Sequence, residues 1–317
     1  MDSTEVILVL SRLAHFAATT LVLGASMFRL YFWSAFRATR GIDQNFDRWL
    51  RTVFVVASTV ALLSSITWLH AEAAAMGNGL SDALNSRTVA VVLFQTEFGH
   101  VWVWRLVAGA LLLGALLSLR DHRWNTRAVA LVGGVAVFLA ASLAWTGHAV
   151  MRSGLVGLAD MAAQTVHLLA ASAWLGSLPA LGYILYRARF DQLGAWGGLA
   201  RKVVPRYSRV GYLAVGIISI TGGLNSWPLV SRITQLVDTQ YGGVLLAEIV
   251  LFALMVAVAL VNRFAPSPIV IRPNSTLPGR TAALAVLGRN VVLEQFLGVL
   301  ILGAVSVLGT LPPASIG

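Results

Sequence analysis

Eight uninterrupted apolar blocks dominate this sequence, over approximately 5–34, 50–76, 98–119, 127–149, 158–186, 204–227, 243–264 and 289–311. Each is about 20 residues or longer, the length an α-helix needs to cross the hydrocarbon core of a bilayer. A bilayer leaves no water to satisfy backbone groups, so a spanning segment must be a helix or part of a closed barrel. Barrel strands alternate apolar and polar residues over about 10 positions, and these blocks are continuous. Composition agrees: 57% of the 317 residues are hydrophobic and 11% charged. A soluble domain carries about 25% charged residues, so a soluble enzyme and a disordered chain are both excluded. The expected fold is an all-α polytopic membrane protein, an eight-helix bundle forming one integral domain over 1–317.

The basic residues set its orientation. The odd-numbered connections hold 16 of the 23 Lys and Arg, among them Arg37, Arg48, Arg51, Arg123, Arg187, Lys202 and Arg272, and the even-numbered connections hold three, Arg87, Arg152 and Arg232. Basic residues concentrate in cytoplasmic loops, which places both termini outside. The net charge of +10 therefore reads as orientation and not as nucleic-acid binding. Asp2 and Glu5 stand where a signal peptide carries positive charge, so the first block is read as a retained helix. The connection 77–97 is expected to form an interfacial helix, and the proline-rich stretch 265–280 an extended connector.

With this topology, five of the six histidines fall in the outer half. His70, with Met76 just above it, ends the second block. His100 begins the third, and His148, followed by Met151, ends the fourth. His15 and His167 lie deeper, about 10 residues or 15 Å below their outer helix ends at 1.5 Å per residue. His122 is an inner-loop residue. The chain has no cysteine, so a soft metal has only imidazole and thioether to bind, and that pair suits copper. Met161 lies near the same level, whereas Met27 and Met255 read as packing residues. Arg12 and His15 share one helix face at i and i+3, with Arg12 available to an anionic cofactor group. Trp174 lies two turns beyond His167, among the small residues Ala170, Ala171, Ala173 and Gly176, which permit close helix packing. Trp102, Trp104 and Trp145 fit an outer aromatic belt.

Several stretches resemble the copper resistance protein D (CopD) family of bacterial inner membranes. They are Thr146-Gly-His148-Ala, His167-Leu-Leu-Ala-Ala-Ser-Ala-Trp174-Leu-Gly176, and Arg206-Tyr-Ser-Arg209 followed by Thr221-Gly-Gly-Leu-Asn225-Ser-Trp. Tyr241-Gly-Gly-Val-Leu-Leu-Ala-Glu248, Asn262-Arg263 and the closing Leu308-Gly-Thr-Leu-Pro-Pro313 continue them. The resemblance implies copper handling between periplasm and cytoplasm, beside a periplasmic copper-binding partner of the CopC type. Glu248 stands where that family commonly has lysine.

Two functions use these residues. In the first, copper enters through His148, His70 and His100, aided by Met76 and Met151, and reaches His15 and His167. In the second, His15 and His167 ligate a b-type haem, with Arg12 near a propionate, and the chain carries electrons from quinol. No ATP-binding motif accompanies either. Of the charges inside the blocks, Arg29 and Arg209 are expected to pair with Glu294 on the inner side, Arg105 to lie near His100, and Glu248 to face the bundle interior.

Overall fold

A computed structural model describes residues 2–39, 42–77, 79–119, 124–145, 154–230 and 232–315. The described residues form helices and turns with no strand. In chain order the helices are α1 (Ser3–Tyr31), α2 (Trp33–Arg37), α3 (Asp43–Met76), α4 (Leu80–Ala83), α5 (Ser86–Gln95), α6 (Glu97–Ser118) and α7 (Thr126–Ala141). They continue with α8 (Gly154–Leu175), α9 (Leu178–Phe190), α10 (Ala195–Ser226), α11 (Gln235–Asp238), α12 (Gln240–Phe264), α13 (Pro266–Ile271) and α14 (Leu277–Leu308).

Local sequence explains where these helices begin. Asp2 and Glu5 form a capping box, in which the Glu5 amide donates to Asp2 at 2.8 Å and the Asp2 amide to Glu5 at 3.1 Å. Three later helices start on the same four-residue pattern, Thr-x-x-Gly. Thr96, Thr239 and Thr276 accept from the amides of Gly99, Gly242 and Gly279 at 2.9, 3.0 and 3.2 Å. Each hydroxyl satisfies an amide that the helix itself leaves without a partner. Proline falls in the first turn of α9, α13 and α14, where its missing N–H costs nothing. The stretch 265–280, expected to be extended, is therefore largely helical. The fifth block is likewise not one rod: it breaks after Leu175 and restarts at Leu178.

Among the described residues, seven segments are long and apolar enough to cross a membrane: Ser3–Tyr31, Gln44–Met76, Glu97–Ser118, Thr126–Trp145, Gly154–Phe190, Gln240–Ile271 and Leu277–Leu308. The sixth block, 204–227, forms most of α10. Its apolar run is diluted by Gly211, Gly216, Gly222, Gly223 and Asn225, and α10 falls outside that set.

α1 sits at the centre. It packs against α3, α7 and α8, while α14 packs against α9 and α12, and α10 against α8 and α9. α1 and α8 cross with their backbones touching. A side chain on Gly24 would overlap the backbone of Ser172 and Gly176, and one on Gly176 would overlap Thr20. Small residues allow this approach where helices associate without a hydrophobic drive between them. One continuous core then runs through Leu23, Phe28, Phe46, Phe54, Leu116, Leu178 and Leu199. Trp104 and Trp145 are exposed on the outside of the bundle, as an aromatic belt requires, but Trp102 is fully buried and leaves it.

Candidate functional site

The half of the bundle where α3 ends and α6 begins holds a polar network centred on His15, which is 1% exposed. Its Nδ1 lies 3.1 Å from the Ala61 carbonyl, 3.1 Å from Ser65 Oγ and 3.3 Å from Ser64 Oγ, all on α3. Its Nε2 accepts a hydrogen bond from Arg105 on α6. A guanidinium can only donate, so Nε2 carries the lone pair and Nδ1 the proton, which goes to Ala61. The ring is neutral, and both its nitrogens are engaged. Trp68 and Trp102 close around it, each with a ring centroid 5.8 Å away.

Arg105 is also 1% exposed. Besides His15 it donates to the Leu139 carbonyl and to Ser142 Oγ, and it lies 5.0 Å from the centre of the Trp102 ring. Leu139 ends α7, and Ser142 opens the 3-10 turn Ser142–Trp145. One cation thus holds the point from which the chain runs on to the Thr146-Gly-His148 stretch. Sequence reasoning placed Arg105 near His100. The helix turns it away instead: five positions on, it faces inward beside Trp102, while His100 is exposed. The signal available was the Trp102/Arg105 spacing of three, which puts both on one face.

Arg12 is held at the far end of the bundle's last helix. It donates to the Gly309 carbonyl at 3.0 Å, at the end of α14, where a cation is favoured by the helix dipole. Its guanidinium lies 4.9 Å from the Trp68 ring centre, and Trp68 in turn donates to Glu72 at 3.0 Å.

Histidines nearer the outer end differ in character. His70 Nδ1 donates to the Ala83 carbonyl, and Met76, 58% exposed, is the last residue of α3. His100 Nε2 is 3.1 Å from the Phe94 carbonyl. These residues stand around the connection between α3 and α6, which contains a helix in the expected place, Ser86–Gln95. His167 is half-buried on α8, with Nδ1 3.0 Å from Thr221 Oγ1 on α10 and its ring against Gly222. His148, Met151 and His122 lie outside the described residues. Among the described residues, no group of three or more His, Asp or Glu side chains is placed to hold a metal ion.

His15 and His167 share no hydrogen-bond partner. The first faces α3 and α6, the second α10. Axial ligation of haem by this pair needs a free nitrogen on each ring, and His15 has none, so the residues do not fit the haem assignment. Trp174 is 2% exposed; its ring stands edge-on to Phe252, and its carbonyl accepts from Tyr207 at 2.9 Å.

The inner-side charges also differ from expectation. Arg29 pairs with Asp47, through Nε at 2.8 Å and Nη2 at 3.1 Å, and not with Glu294. Glu294 instead accepts from Asn262 at 2.6 Å. Glu248 is half-buried on α12, two turns after Tyr241 on the same face.

Two family models match the chain, one described as copper resistance protein D-like, N-terminal domain, over residues 1–158, the other as copper resistance protein D, over residues 201–308. Copper resistance protein D of Pseudomonas syringae pv. tomato is 31% identical over 310 residues, spanning 95% of both chains. The chain belongs to the copper resistance protein D family. Within this family the match reaches further, to Inner membrane protein YebZ of Escherichia coli (strain K12), 27% identical over 302 residues, 95% of this chain and 97% of that one. Copper transport protein CutJ of Bacillus subtilis (strain 168) is 28% identical over 253 residues, 78% of this chain but 44% of that longer one. The resemblance read from the motifs is thereby borne out. His167 and Trp174 fall between the two stretches that the family models match.

Proposed function

We propose that this family member is a copper permease of the bacterial inner membrane, accepting copper at its outer, periplasmic end and passing it inward. The observation that carries the reading is the company of soft-metal donors at one end of the bundle. His70, Met76 and His100 stand at the facing ends of α3 and α6, and His148 and Met151 follow the Arg105-held turn at the end of α7. Neutral imidazole and thioether are the donors that copper prefers. His167, half-buried beside Thr221 of α10, is the next stop inward. His15 joins only if Arg105 swings away from it, and until then it orients that arginine.

The reading includes an eight-crossing bundle over 1–317 as one membrane domain, with both termini outside. What supports an even number of crossings is the bond from Arg12, near the start of α1, to Gly309, just past the end of α14. An odd number would put those two residues at opposite faces of the bilayer. The 16-to-3 division of basic residues between connections supports the orientation. A periplasmic partner of the CopC type would deliver copper at the same end.

The test is copper content per chain, measured on the purified protein and its variants. His70→Ala, His100→Ala and His148→Ala should each lower it, and Met151→Ala should weaken retention of Cu(I). His122→Ala should change nothing. Undiminished copper in the first three variants would defeat the assignment.

A further inference from the structure

At the opposite end from these histidines, a cavity of about 140 Å³ lies between α9, α10, α12 and α14. Most of its wall is apolar, but one side carries a buried carboxylate. Glu294 is 2% exposed and sits in the middle of α14. Its one recorded hydrogen bond comes from Asn262 Nδ2. Asn262 is itself fixed, because its Oδ1 accepts from Asn290 Nδ2 at 2.8 Å. That bond settles which end of the amide faces Glu294. Asn290 and Glu294 are four apart on α14, so both reach the same face of α12.

Among the described residues, no cation pairs with this carboxylate. Arg263 shares the cavity wall, and its Nε is buried without a partner, yet it forms no ion pair with Glu294. The other titratable groups on the wall are two tyrosines of α10, Tyr207, whose hydroxyl is committed to the Trp174 carbonyl, and Tyr212. The lining residues from α8, α9 and α13 (Trp174, Leu181, Leu185 and Ser267) carry no charge. α1 meets α14 with Arg12 only at its far end. An ionisable residue inside a spanning helix is costly and marks an ion or proton path unless something pairs with it. One amide donor does not neutralise a carboxylate.

The side-chain oxygens that line the cavity belong to Glu294, Asn262, Tyr207, Ser208, Tyr212 and Ser267, with the Arg263 guanidinium on the same wall. Imidazole and thioether are missing from its wall, so it is a poor place for copper and a suitable one for a hard ion. Two residues of the wall, Trp174 and Leu181, flank the break in a helix. α8 ends at Leu175 and α9 begins at Leu178, and Ser177 Oγ and Tyr207 Oη stand 3.1 Å apart at the gap. Interrupted helices at membrane depth are where backbone dipoles and coupling-ion sites occur together.

We propose that this cavity is a binding site for a hard monovalent cation, a proton or an alkali ion, taken by the Glu294 carboxylate with Asn262 held beside it. Its role as the coupling ion for copper rests on the permease reading; its existence as a cation site does not.

The experiment uses the full chain in lipid nanodiscs, treated with dicyclohexylcarbodiimide, which reaches carboxyl groups from the membrane and reacts with their protonated form. Adducts are mapped by mass spectrometry, so that Glu248 and Glu294 are read separately. Labelling of Glu294 that rises as pH falls, and that sodium does not affect, identifies the ligand as a proton. Labelling that sodium chloride suppresses, against choline chloride at equal strength, identifies an alkali ion. No adduct at Glu294 at any pH, or one indifferent to both pH and sodium, overturns the site. Asn262→Ala should shift the pH or sodium concentration at half-labelling, which needs no assumption about Glu294 variants folding. In proteoliposomes, Glu294→Gln should abolish the dependence of copper flux on the cation gradient while leaving copper content per chain unchanged. Flux that keeps its gradient dependence removes the coupling role. If the unmodified protein moves no copper at all, the permease reading fails and the labelling result still stands.

Discussion

The imidazole of His15 accepts a hydrogen bond from the buried guanidinium of Arg105, tying α1 to α6 at a depth where neither group reaches water. Arg105 Nη1 donates in addition to the Leu139 carbonyl and Ser142 Oγ at the end of α7. A residue that looks in the sequence like a metal ligand is therefore, in this arrangement, an acceptor for a structural cation. Removing either partner should leave the other buried and unsatisfied, which costs about 1–3 kcal/mol and more where charge is involved. Thermal unfolding of His15→Ala, Arg105→Leu and the double variant in one detergent forms the check. The double variant should be clearly less destabilised than the sum of the singles, since contacting residues couple by about 0.5–3 kcal/mol. Simple additivity would mean the pair is not an energetic unit.

The crossing of α1 and α8 makes a second expectation. Gly176→Val should disrupt assembly, because the new side chain must displace the Thr20 backbone; overpacking of this kind costs about 1–3 kcal/mol or more. Gly222→Ala is the contrasting case. Its Cβ would lie 3.5 Å from His167 Cε1, an ordinary contact, so yield and melting temperature should stay near those of the unmodified protein. Equal loss in both variants would argue against a close crossing.

Orientation can be read with reporters. A fusion after Gly317 should behave as external, and one inserted near Asn274 as cytoplasmic. The opposite result at Gly317 would place the outer histidines on the cytoplasmic face and reverse the direction of copper entry.

Copper retention should fall as the medium is acidified, because imidazole ligands must lose a proton to bind a metal. Equilibrium dialysis of the purified protein across a pH series measures this. The fall should be shallower in the His70→Ala/His100→Ala variant, which has fewer imidazoles to protonate. An identical slope in both proteins would show that these two side chains do not bind.

What was legible in the sequence was whatever depends on runs and periods. The apolar blocks became helices, and a helix after Met76 appeared where expected. The breaks were harder to see. The Leu175–Leu178 interruption comes just before Pro179 in the first turn of α9, where a missing N–H cannot continue a helix. The lack of room at Gly176 against Thr20 is a property of two helices and not of one. Partner choice was harder still. Arg29 finds Asp47 because α1 and α3 lie side by side, and Arg105 finds His15 because its helix face points inward. Depth along a helix can be counted from sequence, but azimuth around it is fixed only by packing. The pairing of Asn290 and Glu294 at i and i+4 was available as a signal, since two polar residues on one face of an apolar helix need a polar neighbour.

The bond between Arg12 and Gly309 also bears on how the protein is made. Synthesis is vectorial, so α1 is complete and inserted long before Gly309 leaves the ribosome. Until then the Arg12 guanidinium lacks the carbonyl it uses in the finished protein. The last helix therefore does more than lengthen the bundle: it closes a ring whose first member has been waiting for it. A chain stopped before α14 keeps its outer histidines but leaves a charged side chain without its acceptor at the start of the first span, a mark that membrane quality control is equipped to find.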